Sequence, residues 1–256
     1  MGKLFYNILI VGAGGTGGLL ANFLTKSLAG MENINIGLVD ADIVEAKNLL
    51  RQPYVTEDIG LCKAEALAGA LTDVYGLNVM AFDMFINNST DIGVCFSGIS
   101  TAEYGDDEIR MLCGCVDNHA ARKAMHDFFS ETMDKDGLLY IDSGNEFSYG
   151  EVVFGAKKGG KIISPDKLYY FPDLFDGNMT PRSEESCEAL NNVAPQHLCT
   201  NIMAANVMLS GILEFIQEKK YPQGIVHFDS GITGDFRMKR IPYVLRKEGG
   251  DDAETE

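Results

Sequence analysis

Along the chain, short apolar runs of strand type alternate with longer stretches whose apolar positions recur at helical spacing. Asn7 to Val11 is an apolar run that leads directly into Gly12-Ala13-Gly14-Gly15-Thr16-Gly17-Gly18, after which Leu19, Leu20, Phe23, Leu24 and Leu28 mark one face of a helix. Ile34 to Val39 is a second strand-type run and ends in Asp40. Met111 to Val116 is another, ending in Asp117-Asn118, with Arg122 in the helix that follows. Leu138 to Ile141 reads as the next strand, and Asp142-Ser143-Gly144-Asn145 as its loop at the ligand edge. Glu151 to Ala156 and Lys161 to Ile163 are short, β-rich and turn-bounded, which predicts antiparallel strands covering one side of the nucleotide domain. Tyr170 to Ser186 reads as a loop crossing the active face. Gln196 to Phe215 reads as a helix in which Ile202, Ala205, Met208, Leu209, Ile212 and Phe215 recur at helical spacing. Asp83 to Asp107 is longer and more polar than a minimal connection. It is expected as a surface excursion with one extra strand at Val94 to Ser97, or as an insertion that touches a partner. The whole is an α/β pattern: a Rossmann-like, mostly parallel sheet with flanking helices, extended by antiparallel strands in the C-terminal half.

Composition narrows the class. With 256 residues, 46% hydrophobic and 23% charged, the chain can bury a real core and is not disordered as a whole. The expected organisation is a single domain over 1–245, its nucleotide-binding part about 1–145, followed by an acidic disordered tail at 246–256. Apolar stretches such as Tyr6 to Ala13 fall far short of the roughly 20 residues of a membrane span, and no cleavable signal pattern opens the chain, so a soluble, cytoplasmic protein is expected. Six Cys without an even framework suit a reducing compartment. The 21 Lys+Arg against 37 Asp+Glu give a formal charge of −16, which supplies no positive field for nucleic acid or an anionic membrane. Asp251, Asp252, Glu254 and Glu256 place four of these charges in the tail, and the acidic remainder would suit a basic protein partner.

Candidate chemistry begins at the glycine turn. Gly12, Gly14, Gly15 and Gly17 let the backbone approach a phosphate, the helix N-terminus receives its charge, and Asp40 can accept from ribose hydroxyls. Alone this is a dinucleotide fingerprint, open to a nicotinamide-dependent oxidoreductase or to a glycine turn that serves packing only. After Asp40 and Asp42 come Asn48, Arg51-Gln52 and Ile59-Gly60-Leu61-Cys62-Lys63-Ala64. A triphosphate with Mg²⁺ needs cations and amide donors along its length, Arg as a bidentate fork and Lys as a point charge. Singly, Arg51 or Lys63 would be a solvated surface charge.

At these residues the sequence resembles the ThiF/MoeB/HesA family, the prokaryotic relatives of ubiquitin-activating enzymes. The family's acidic pair, Asn, Arg-Gln pair and Ile-Gly-x-x-Lys-Ala phrase are all present. The resemblance covers nearly all of residues 5 to 240, is strongest through 122, and is nearest to the ThiF-type proteins of the plasmid-associated PRTRC gene system. It implies ATP and Mg²⁺ bound by Gly12 to Gly17, Asp40, Asn48, Arg51, Gln52, Lys63, Asp117 and Asn118, with Asp117 holding the metal through ATP; an N-cap is the plainer role of Asp117. It implies adenylation of the C-terminal Gly of a small ubiquitin-like or sulfur-carrier protein, in a homodimer, with Arg51 and Lys63 neutralising charge. It further implies that Cys187, in Cys187-Glu188-Ala189, receives the acyl group, a thiolate being good both as nucleophile and as leaving group; a buried structural Cys is the alternative. Two features depart from the family. No Cys-x-x-Cys pair occurs, so no zinc is expected. The first strand also starts so early that the arginine of the usual N-terminal helix has no counterpart. A nucleotide-binding partner protein without catalysis therefore stands as a further alternative to the oxidoreductase.

Overall fold

The structure is a computed structural model that describes residues 2–177, 196–232 and 234–244. Five parallel strands form its first half: β1 (Leu4–Val11), β2 (Ile34–Val39), β3 (Val79–Phe82), β4 (Asp107–Gly114) and β5 (Leu138–Asn145). Helices α1 (Gly15–Leu28), α2 (Lys63–Tyr75), α3 (Ser89–Ile99) and α4 (His119–Glu131) connect them. Four antiparallel strands continue the sheet beyond β5: β6 (Tyr149–Lys158), β7 (Lys161–Ser164), β8 (Gly224–Asp229) and β9 (Arg237–Ile241). A short α5 (Lys167–Tyr170) and a 21-residue α6 (Leu198–Glu218) complete the described elements. The strand order is β3-β2-β1-β4-β5-β6-β8-β9, with β7 on β6. This is the mixed α/β sheet that the sequence pattern predicts.

Because helices cover both faces, β1 is buried from Phe5 to Val11 and reads as an unbroken apolar run. One face buries Ile8, Ile10, Leu24, Leu67, Met208 and Ile212 under α1, α2 and α6; the other buries Leu9, Val11, Phe96, Leu112 and Phe128 under α3 and α4. Helix α6 is long and apolar enough to cross a membrane by length and composition, a stretch the sequence reading overlooked. Its Ala204, Ala205, Met208, Ile212 and Phe215 are nevertheless buried in the protein, the pattern of a core helix with one apolar stripe.

Two local expectations are corrected. Val94 to Ser97 is not a strand but the middle of α3. Asn88 caps that helix by accepting from the Asp91 N–H at 3.1 Å, and Ile92, Cys95, Phe96 and Ile99 recur on its buried face. Asp142 to Asn145 is not a loop. It extends β5, because β6 pairs with it through Asn145↔Gly150.

One ion pair ties α4 to the start of α5: His126 Nδ1 lies 2.5 Å from Asp166 Oδ2, with the Phe175 ring 5.6 Å from the imidazole. The hydrogen bond to Asp166, outweighing desolvation, holds His126 above its ordinary value. A raised folded-state value means that this contribution is complete below the unfolded value of about 6.5 and is lost as pH rises through the folded value. The thermal midpoint should therefore fall across that window, and the fall should flatten in Asp166→Asn. An equal slope in the two proteins would refute the assignment.

Candidate functional site

In the parallel half, β1 and β4 are neighbours although β2 and β3 lie between them in sequence. That reversal opens a crevice at the carboxyl ends of the strands, where open α/β sheets bind ligands. A cavity of about 750 Å³ occupies it, within the range of small-molecule sites. Its walls include Gly12, Gly14 and Gly15 after β1, Asp40 after β2, Asp117 and Asn118 after β4, and Asn145 at the end of β5. Asn48, Arg51, Gln52 and Lys63 enter from the segment between β2 and α2. Eleven of the twelve predicted site residues lie among the described residues, and ten of these line this one cavity.

The exception is Gly17. Its α-carbon packs against the strand turn: an added Cβ would lie 1.8 Å from the Gly12 carbonyl oxygen. Gly17 therefore serves the close approach of α1 to β1 and not ligand contact. Gly12 has φ +94°, which favours glycine, and a Cβ on Gly15 would meet the Asn201 amide at 2.1 Å.

Asp40 is the keystone of the turn. Its Oδ2 accepts from the Ala13 N–H at 2.7 Å, and its Oδ1 from the Asp42 N–H at 2.9 Å. Burial pushes its carboxyl up from the ordinary value, opposed by the charge of Lys63. Lys63 itself is buried and pairs with Asp42 Oδ2 at 2.9 Å. Tyr54 Oη donates to the Ala13 carbonyl at 2.7 Å, tying the segment after β2 to the glycine turn. Asn48, also buried, accepts the Glu45 N–H at 2.8 Å and so fixes the 3₁₀ turn that precedes Arg51. Arg51 has no ion-pair partner among the described residues, and Gln52 Oε1 is buried there without a hydrogen-bond partner.

At β4 the capping roles differ from expectation. Asn118, not Asp117, caps α4 by accepting from the Ala121 N–H at 2.8 Å, because only its side chain lies at the N-cap position. Asp117 is left exposed on the cavity wall. Beneath it, Arg122 donates to the Val116 carbonyl at 2.7 Å and to the Ser143 carbonyl at 2.9 Å, with Nε 3.5 Å from Asp142.

Cys187 and the acidic tail lie outside the described residues. Among the described cysteines, burial raises the thiols of Cys62, Cys95, Cys113 and Cys115, Cys95 to about 11 and Cys113 to about 12, which suits structural roles. No group of three His, Cys, Asp or Glu side chains that could hold a metal occurs among the described residues.

Sequence reasoning missed Lys47, Gln196 and His197 as cavity residues, and it missed Asn201 behind them. The last three come from the start of α6, more than 150 residues from the glycine turn. Their one visible signal was Thr200-Asn201, a polar pair on the apolar helix, fully buried in the fold.

The ThiF family model matches residues 4–243. Over 145 residues the chain is 32% identical to ubiquitin-like modifier-activating enzyme 5 of Drosophila willistoni, covering 54% of this chain and 32% of that protein. Over 137 residues it is 27% identical to the Arabidopsis thaliana enzyme of the same name, covering 49% and 30%. The chain thus spans about a third of the length of these curated relatives. In fold it is similar to E. coli MccB with ATP, at TM-score 0.61 and 18% identity, over 92% of this chain and 63% of that one. PaaA gives TM-score 0.62 and 17% identity, over 93% and 72%. With its glycine turn, the segment between β2 and α2, and the antiparallel extension all within the matched span, the chain belongs to the ThiF family.

Proposed function

We propose that the protein is an ATP-dependent adenylating enzyme that activates the C-terminal carboxylate of a small protein or peptide, with a ubiquitin-like or sulfur-carrier protein ending in Gly as the favoured partner. The observation that carries this reading is the meeting of Arg51, Lys63 and Asp117 with the glycine turn around one cavity. A nicotinamide enzyme has no task for those three residues. The relatives named ubiquitin-like modifier-activating enzyme and the MccB structures with ATP and with MccA support the reading.

The site fits a triphosphate in three respects. The glycine turn borders the cavity, Arg51 offers an unspent guanidinium fork, and Gln52 turns its amide donor Nε2 toward Gly14. Mg²⁺ fits as a metal held by one carboxylate, Asp117, together with phosphate oxygens, since such sites need no all-protein cage. When bound, it neutralises phosphate charge. The chain's own residues position the reactants: Asp40 holds the turn, and Arg51 and Lys63 stabilise the charge that builds up as the carboxylate attacks the α-phosphorus and pyrophosphate leaves. Arg51 and Lys63 both come from this chain, and a homodimer in which a partner adds a further cation belongs to the same reading. Transfer to Cys187 as a second step is proposed on its position in the sequence alone.

ATP–pyrophosphate exchange measured with a ubiquitin-like protein ending in Gly-Gly tests the proposal. Exchange is expected in the wild type and should fall about 100-fold in Asp117→Ala. Absence of exchange in the wild type, or full exchange in the variant, would reject it.

A further inference from the structure

The segment after β2 reaches the glycine turn through one hydroxyl. Gly18 in α1 carries no side chain, and an added Cβ there would lie 2.7 Å from Pro53 Cγ, so Pro53 packs directly on the helix. That contact places the next residue, Tyr54, beside the turn. Its Oη donates to the Ala13 carbonyl at 2.7 Å and shares the proton with the Lys63 main-chain carbonyl at 3.2 Å. Tyr54 is buried and lies outside the cavity wall. Burial first, then the charge of Asp40, push its hydroxyl up from the ordinary value, so it remains a donor. Ala13 is fully buried, and both of its backbone groups are spent: its N–H donates to Asp40 Oδ2 at 2.7 Å, and its carbonyl accepts from Tyr54.

The next peptide group joins Ala13 to Gly14. A trans peptide is planar, and its carbonyl and N–H point in opposite directions. A carbonyl held toward buried Tyr54 therefore turns the Gly14 N–H to the opposite side. Gly14 is partly exposed and lines the cavity, and its N–H makes no hydrogen bond among the described residues. It precedes the 14-residue α1, whose N-terminus adds positive potential at the same place. Without the hydroxyl, the Ala13 and Lys63 carbonyl oxygens would face each other with no proton between them, and the peptide would lose the contact that fixes its plane.

We propose that Tyr54 is a positioning residue for the nucleotide: by holding the Ala13 carbonyl, it fixes the Ala13–Gly14 peptide so that the Gly14 N–H faces a phosphate oxygen of ATP. This rests on the ATP-binding part of the reading above and deepens it, because it says how the glycine turn is set before the ligand arrives. Tyr54 touches no substrate atom and moves no proton. Its effect is preorganisation: a donor already aimed at the anion does not have to be ordered when the anion binds.

Labelling with carbonyl-¹³C alanine and ¹⁵N-glycine isolates the glycine amides that follow an alanine, those of Gly14, Gly30 and Gly69. Neither Gly30 nor Gly69 lines the cavity. ATP added to the 256-residue chain should move the Gly14 amide proton downfield and leave the other two in place. In Tyr54→Phe, which keeps the ring, saturating ATP should produce only a small part of that shift, and the affinity for ATP should fall about tenfold. Tyr75→Phe is the control. Its hydroxyl joins α2 to α1 through Asn22 at 2.8 Å, away from the turn, so both the shift and the affinity should match the wild type. A Gly14 signal that stays in place in a wild type that binds ATP overturns the inference. A full shift in Tyr54→Phe, or an equal loss in Tyr75→Phe, overturns it as well, and the adenylation reading survives all three results. A wild type that does not bind ATP rejects both.

Discussion

Gly17→Ala is expected to destabilise the protein by about 3 kcal/mol, although the position lies inside a helix, where alanine normally gains about 1 kcal/mol over glycine. The added methyl would sit 1.8 Å from the Gly12 carbonyl oxygen and 3.0 Å from Cys115 Cβ. Both neighbours are fixed: Gly12 N–H donates to the Val39 carbonyl at 2.8 Å, and Cys115 N–H to the Val11 carbonyl at 2.9 Å. Relief requires α1 to move off β1, which reshapes the glycine turn. Gly69→Ala is the control. Gly69 lies in α2, is exposed, and has nothing within 4 Å of the new methyl, so the ordinary helix preference should apply and stability should rise by about 0.5–1 kcal/mol. Urea midpoints of the two variants should move in opposite directions. A shared direction would mean that the α1–β1 contact does not govern the packing.

Arg122→Met is expected to cost about 3–5 kcal/mol, the range for removing one partner of a buried charge pair. The guanidinium is buried and joins the Val116 carbonyl after β4, the Ser143 carbonyl in β5 and the Asp142 carboxylate. Its removal leaves two carbonyls without that donor and Lys167, 3.7 Å away, as the one remaining cation paired with Asp142 among the described residues. Lys167 is itself engaged with Glu151 at 2.9 Å. Arg122→Lys should recover little of the loss, because an ammonium has no planar fork to span two carbonyls. A denaturant midpoint of Arg122→Met within error of the wild type would refute this account. The Val116 carbonyl precedes Asp117 directly, so the same change should also weaken ATP binding through the placement of that carboxylate.

The strands and helices of the nucleotide half were readable because each carries its own period. β1 and β2 are apolar runs, α1 shows helical spacing, and the glycines mark the turn between them. The segment from Asp83 to Asp107 misled because Ile92-Gly93-Val94-Cys95-Phe96 is apolar enough for a strand, while the capping by Asn88 and Asp91 that makes it helical is a local signal of a few hydrogen bonds. Asp142 to Asn145 misled because its strand state comes from pairing with β6, which no local pattern specifies. Asp117 and Asn118 both suit an N-cap by residue type, and the helix start one residue later decided for Asn118.

The candidate site divides along the same line. The glycine turn, Asp40 and the Asn48 to Lys63 segment are local motifs, the first two marked as candidates by a strand–turn–helix context and the last by its resemblance to the ThiF family, so the sequence alone singled them out. The relay in which Asn145 Nδ2 donates to Thr16 Oγ1 at 2.7 Å and Thr16 Oγ1 to Asn201 Oδ1 at 3.3 Å could not be read that way. Its members are 129 and 56 residues apart, and each alone is an ordinary polar residue. Only the crossing of α1, β5 and α6 at one point brings their amide and hydroxyl groups within hydrogen-bond distance. Burial there is also what makes those hydrogen bonds matter, because no water competes for the groups.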